Sequence, residues 1–168
     1  AVYEVLSVNH KKIIVGAALS EKVCAALKVD KNVVATCKAE DLVGLQADHP
    51  FIEGQKTPIY ADNYVGLSDG TAIVHSAPGC GPEDYEMGVK YGIEIFSPVS
   101  NDGKYTEGIL PTELLGMDIK DALGWVLKKL IEKDKLLFKT SIKHPFPHCW
   151  RCRNGLIFRA TKQWFCEL

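Results

Sequence analysis

The sequence predicts a mixed α+β fold, a β-barrel-like or strongly bent sheet with a few peripheral helices. Three observations predict it. Short runs rich in Val, Ile and Thr are separated by turn residues, and one long segment carries a helical apolar period. A length of 168 residues with 46% hydrophobic content is enough for one ordinary core.

The elements follow in order. Val2 to Val8 alternates loosely up to Asn9-His10-Lys11-Lys12 and resumes as Ile13-Ile14-Val15, which reads as two strands joined by a polar turn. Leu19-Ser20-Glu21 offers a capping serine and an acid in the first turn of a short helix carrying Val23, Cys24 and Leu27. Val33 to Cys37 reads as a strand, and Thr57 to Tyr60 as a short edge strand because of Pro58; the stretch between them is irregular. Tyr64 to Leu67 and Thr71 to His75 flank Ser68-Asp69-Gly70, a hairpin signal that would place His75 at a strand end. Ser76 to Gly81 is too rich in Gly and Pro to continue a strand, and Pro82 is a favoured first helical residue that puts Glu83 and Asp84 in the first turn. From Asp118 to Lys135, apolar residues at Ile119, Ala122, Leu123, Val126, Leu127, Leu130 and Ile131 predict an amphipathic helix with Lys120, Lys128, Lys129 and Glu132 toward water.

A net charge of −1 excludes a strongly basic nucleic-acid binder, and the composition excludes a disordered or collagen-like chain. The charge is nonetheless divided: residues 1–138 carry 14 Lys/Arg against 20 Asp/Glu, whereas residues 139–168 carry 6 against 1. That basic end is either a solvated tail or a contact for phosphate or a partner. No apolar run has the roughly 18 to 20 residues of a membrane span, and the first residues lack the layout of a signal peptide, so a soluble cytoplasmic protein is expected. Six cysteines, two as Cys149-x-x-Cys152, fit reduced thiols and a metal better than a disulfide framework.

Three groups can carry chemistry. In His75-Ser76-Ala77-Pro78-Gly79-Cys80-Gly81-Pro82-Glu83-Asp84, glycines allow close approach of a ligand and a helix start offers N–H groups. Asp84 would hold a cation there while backbone amides face a developing oxyanion; the plain alternative is a first-turn acid, a strand-end histidine and turn glycines. Cys80 with His75 would make a thiolate–imidazole pair, against which stands the ordinary role of cysteine as a small buried residue. Cys149 and Cys152 supply half of a tetrahedral zinc site, to be completed by His144, His148, Cys166 or residues outside the chain, unless both thiols are unliganded.

HSAPGCGPEDY, then KYGIEIFSPVSNDGKYTEG, then HPFPHCWRCRNGLIFRATKQWF resemble isoleucyl-tRNA synthetases, within the editing domain inserted between the halves of their catalytic core. The specific stretches are 72–108 and 144–165, and the CWRC form is commonest in the zinc-containing branch. The resemblance implies hydrolysis of the ester joining valine to the 3′-terminal adenosine of isoleucine tRNA. One missing methylene is worth only about 1–3 kcal/mol of binding, a limit for which the isoleucine–valine pair is itself the standard illustration, so a second site must destroy the smaller product. It further implies that Asp84 holds the amino acid's ammonium with His75 beside it, that Ser76, Gly79, Cys80 and Gly81 line the substrate site, and that water is the nucleophile. The tRNA 3′ end carrying valine and the synthetase's catalytic core are the implied partners, with zinc at Cys149 and Cys152, and ATP with Mg serving only the full-length enzyme. A monomer is expected.

Three departures bear on this. The family motif reads GHG where Gly79-Cys80-Gly81 stands, no threonine-rich pocket segment is found, and the HIGH and KMSKS signatures are absent. The expectation is therefore a fragment in which 1–143 is editing domain and 144–168 returns toward the catalytic core. Its alternatives are an inactive structural or tRNA-binding fragment of the same synthetase and a free-standing zinc-ribbon adaptor.

Overall fold

β1 (Val2–Val8) and β2 (Lys11–Gly16) form the expected antiparallel hairpin, with Tyr3 opposite Gly16 and Val8 opposite Lys11. Asn9 and His10 both take positive φ, 46° and 66°, the backbone a two-residue hairpin turn needs. The computed structural model describes residues 1–166 except 142 and 144. They form two units, one of Ala1–His75 with Lys133–Phe138, the other of Ser76–Glu132 with the remainder of the chain.

In the first unit β3 (Val33–Lys38) pairs antiparallel with the other side of β1, giving the order β2-β1-β3 with a register shift between Val5 and Leu6. α1 (Ser20–Leu27) closes one cluster, in which Leu6, Val8, Val15 and Cys24 are buried with Ile13, Val23, Leu27 and Val29 around them. Each large side chain so buried stabilises the unit by about 1.5–3 kcal/mol. Ser20 is the first residue of α1 rather than its cap; Leu19 occupies the capping position with no side-chain bond. A second cluster joins Tyr3, Leu19 and Ala72, bordered by Cys37, Ala39 and Leu42, the last two from the single-turn helix α2 (Ala39–Leu42). β4 (Gln46–Asp48) and β5 (Lys56–Pro58) make a separate two-stranded antiparallel sheet. The fold class is thus α+β, as expected. Among the described residues, however, the strands form these two small sheets and close no barrel, β2 and β3 being the outer strands of the larger one.

The hairpin expected at 64–75 is absent, since none of the strands falls within it. Its backbone is committed elsewhere: the Gly16 N–H donates to the Thr71 carbonyl, the Tyr3 hydroxyl donates to the Ala72 carbonyl, and Ala72 takes a φ of 58° that interrupts any extended run. Gly16 has to be glycine, because a Cβ there would lie 2.8 Å from the Ala72 methyl.

The second unit contains α3 (Pro82–Tyr91), with Pro82 in the first turn as the sequence indicates, and α4 (Ile119–Glu132). Asp118 Oδ1 accepts the Lys120 N–H at the start of α4. The apolar stripe of α4 is only partly covered: Ala122 is buried, but Leu123 and Ile131 are exposed. No helix of the described residues is long and apolar enough to cross a membrane.

Candidate functional site

The loop that carries the proposed chemistry is fixed from both sides by backbone. Cys80 N–H donates to the Ala77 carbonyl, forming a tight turn, and the Ala160 N–H donates to the Gly79 carbonyl. A Cβ on Gly79 would lie 2.0 Å from the Phe96 carbonyl oxygen, so only glycine lets the loop lie against the 96–97 backbone. Gly81 caps α3 in extended backbone, and its carbonyl accepts the Tyr85 N–H. Gly88, one face of α3, rests on Pro78 and Ile95, with only 2.7 Å to either from a built Cβ. The helix therefore sits directly on the loop that precedes it.

This packing brings Ser76 and Asp84 together: the Ser76 hydroxyl donates to Asp84 Oδ1 at 2.9 Å. The other carboxylate oxygen, Oδ2, lies 3.2 Å from where a Gly81 Cβ would stand, so Gly81 leaves room beside the acid. The site thus holds a half-buried carboxylate at the positive end of a helix, oriented by a hydroxyl. Such a group can receive a cation or an ammonium. His75 closes the first unit, where its imidazole is exposed and interacts electrostatically with His49. His49 is held below the usual imidazole range, chiefly by burial and then by the His75 charge, and its Nδ1 accepts the N–H groups of Phe51 and Ile52.

Cys80 is at the surface, yet partial desolvation and then the Asp84 charge push its thiol up from the ordinary range. A raised pKa leaves little thiolate at neutral pH, which argues against a cysteine nucleophile. Its N–H is committed to Ala77, so that amide is not one that can meet an oxyanion.

Four neighbours of this loop escaped sequence reasoning. Phe96 and Ala160 hold Gly79. Tyr105 has its phenol pushed up first by burial and then by Cys80. Ser97 lies against Gly79 with a buried hydroxyl that has no hydrogen-bond partner among the described residues. Only the glycines themselves signalled that backbone would approach so closely. Arg159, one of the six basic residues of the 139–168 end, is used within the unit: its guanidinium donates to the Val99 carbonyl and to Asn101 Oδ1.

The Cys149-x-x-Cys152 segment forms a knuckle. Cys149 N–H donates to the Asn154 carbonyl, Arg153 N–H to the Cys149 carbonyl, and Leu156 N–H to the Pro147 carbonyl. The Cys149 thiol is held below the usual range by the backbone N–H groups of Cys152 and Arg151 and then by the Cys152 side chain. Two thiols with backbone donors aimed at one of them suit a soft divalent metal. Among the described residues no group of three or more His, Cys, Asp or Glu gathers at one point, and His144 lies outside the described residues. His148 turns its Nδ1 to the Phe146 carbonyl at 2.9 Å.

The arrangement defines a class first: the fold is similar to the crystal structure of GlLeuRS-CP1, with a TM-score of 0.63 and 14% identity, over 84% of this chain and 75% of that one. No family model matches the chain. In sequence it is 40% identical over 166 residues to an isoleucine--tRNA ligase of Carboxydothermus hydrogenoformans, a match covering 99% of this chain and 18% of that protein. It is 38% identical over 177 residues to the isoleucine--tRNA ligase of Aquifex aeolicus, covering 97% of this chain and 18% of the relative. The chain is thus homologous, along nearly its whole length, to one segment of the isoleucine--tRNA ligases. It spans less than a fifth of the length of these relatives.

Proposed function

We propose that this chain is an editing module of an isoleucine--tRNA ligase, which hydrolyses the ester of valine mischarged onto isoleucine tRNA. The observation that carries the reading is the oriented acid: Asp84 held by Ser76 beside a loop whose glycines let another backbone, or a substrate, come close. Asp84 would bind the ammonium of the aminoacyl group, a role that needs a fixed negative charge and no proton transfer. Ser76 positions that charge. Water is the nucleophile, oriented by the bound ester, and the Gly79 and Gly81 amides are the candidates for stabilising charge on the carbonyl oxygen. Selectivity would require this site to admit the small ester and exclude the larger one, the discrimination that binding alone cannot supply.

The Cys149 and Cys152 thiols supply two of the four ligands of a structural zinc, to be completed by His144, His148, Cys166 or residues outside the chain. ATP and Mg belong to the synthetic reaction of the longer enzyme. Residues 144–168 then return toward its catalytic core, in the cytoplasm where the tRNA is charged.

The test is deacylation of valine-charged isoleucine tRNA, with isoleucine-charged tRNA as control. Selective loss of valine, abolished by Asp84→Ala while the circular dichroism spectrum is unchanged, is the expected result. Undiminished hydrolysis by that variant would sink the role given to Asp84.

A further inference from the structure

The knuckle at 146–156 presents aromatic and cationic groups outward together. Trp150 is 76% exposed, the Arg151 guanidinium lies 4.9 Å from its ring centroid, and Arg153 stands exposed at the turn with a φ of 63°. The platform beneath them is ordered by the three backbone hydrogen bonds of the knuckle and by Phe146, whose ring approaches so close to Gly155 that a Cβ there would sit 2.8 Å from it. From Lys135 to Cys166 the chain contains seven Lys/Arg and no Asp or Glu, so no internal carboxylate of this segment competes for the arginines. We propose that the Trp150–Arg151–Arg153 knuckle is a docking site for single-stranded RNA, with Trp150 as a stacking surface for a base and the two arginines as phosphate contacts.

This rests on the RNA substrate inferred above and adds where an unpaired stretch of it would be held. Stacking on an exposed aromatic requires no particular base, since every base has a π face, and an adjacent guanidinium supplies both charge and a second planar surface. A protein surface is the poorer fit, because the buried centre of protein interfaces is depleted of charge, whereas here Arg151 lies over the ring and Arg153 is exposed on the same turn. The exposed Trp164 and Phe165 lack adjacent arginines and suit protein packing better.

The experiment is fluorescence anisotropy of a labelled single-stranded RNA of about twelve nucleotides, titrated with this chain at several salt concentrations, beside the same RNA in a duplex. Binding of the single strand should weaken about 5- to 150-fold in Trp150→Ala and recover most of the way in Trp150→Phe, given stacking worth about 1–3 kcal/mol per base. Replacing Arg151 and Arg153 together by glutamine should reduce the slope of log affinity against log salt by about 1.4, or about 0.7 per phosphate contact. Thermal melting checks that each variant is folded. Binding of the wild-type strand that is indifferent to Trp150→Ala, or no binding of the strand at all, overturns the proposal and assigns the knuckle to a protein contact. Valyl-tRNA deacylation run in parallel separates the two readings. Trp150-dependent RNA binding without hydrolysis removes the editing reading alone, and hydrolysis with Trp150-independent binding removes the knuckle site alone.

Discussion

A carboxylate in the first turn of a helix has an ordinary reason to be there, and what marks Asp84 is its company: a hydroxyl fixing one oxygen and a glycine leaving space beside the other. Cys80 stands in the middle of the same loop and does a smaller job. Because its thiol is pushed up, it stays protonated at neutral pH, so Cys80→Ser should hydrolyse valyl-tRNA at close to the wild-type rate. Iodoacetamide should label Cys80 quickly only as the pH climbs past the ordinary thiol range; rapid labelling at pH 7 with loss of activity would contradict this. Gly79 matters more than the residue it precedes. Gly79→Ala drives a methyl into the Phe96 carbonyl and should cost about 3 kcal/mol, whereas Gly155→Ala meets only the edge of an exposed Phe146 ring and should cost about 1. Urea denaturation of the two variants orders them directly.

Among the elements, the guanidinium of Arg159 ties the late segment to the 99–101 turn, and Ala160 next to it ties the same segment to Gly79. Arg159→Met keeps the length and apolar stem but removes both donors, so it should lower stability by about 1.5–3 kcal/mol, read from the denaturation midpoint, and loosen the Gly79 loop. These ties show where sequence reading stops. The β1–β2 turn, the edge character of β5 and the proline-led start of α3 are written in neighbouring residues, and all were legible. β4 was not, since Gln46-Ala47-Asp48 has no apolar alternation to detect. The expected hairpin at 64–75 failed for the opposite reason: its local signal is sound, and Gly70 does take a φ of 66°, but Tyr3 and Gly16 claim its backbone from far away in the chain. Likewise the motif around Asp84 could be seen as a motif, while Phe96, Ser97, Tyr105 and Ala160 could not be seen as its surroundings, because nothing in their spacing points to residue 79. The α4 stripe was legible as a pattern, but a pattern does not say that Leu123 and Ile131 would stay exposed.

At the scale of the whole molecule, acid and base act at opposite ends of the pH range. Glu4 is held below its usual range by the Ser20 hydroxyl first and the Lys31 ammonium next, and Lys31 is raised in turn by Glu4. A lowered carboxyl stabilises the fold above the unfolded carboxylate range, near 4.5, and that contribution is lost as pH falls through the folded value. A raised amine contributes fully below about 10.5 and loses its effect as pH rises through the folded value. Glu4 and Lys31 therefore leave the melting temperature unchanged between these limits. The lowered His49 makes it decline as pH drops below about 6.5, and the raised Cys80 thiol makes it decline above about 9. Loss of the Glu4 contribution steepens the fall below about pH 5, so Glu4→Gln should flatten that acid limb while lowering the plateau. An acid limb of unchanged steepness in that variant would assign the loss to other carboxylates. Finally, the bond from Arg159 to Val99 spans 60 residues. A ribosome adding residues in order exposes the Gly79 loop and the 99–101 turn long before it delivers the segment around Arg159 and Ala160 that secures them. The nascent chain consequently passes through a period in which its oriented acid is already made but not yet held, and a stall between Phe138 and Arg159 would leave the first unit complete and the site unfinished.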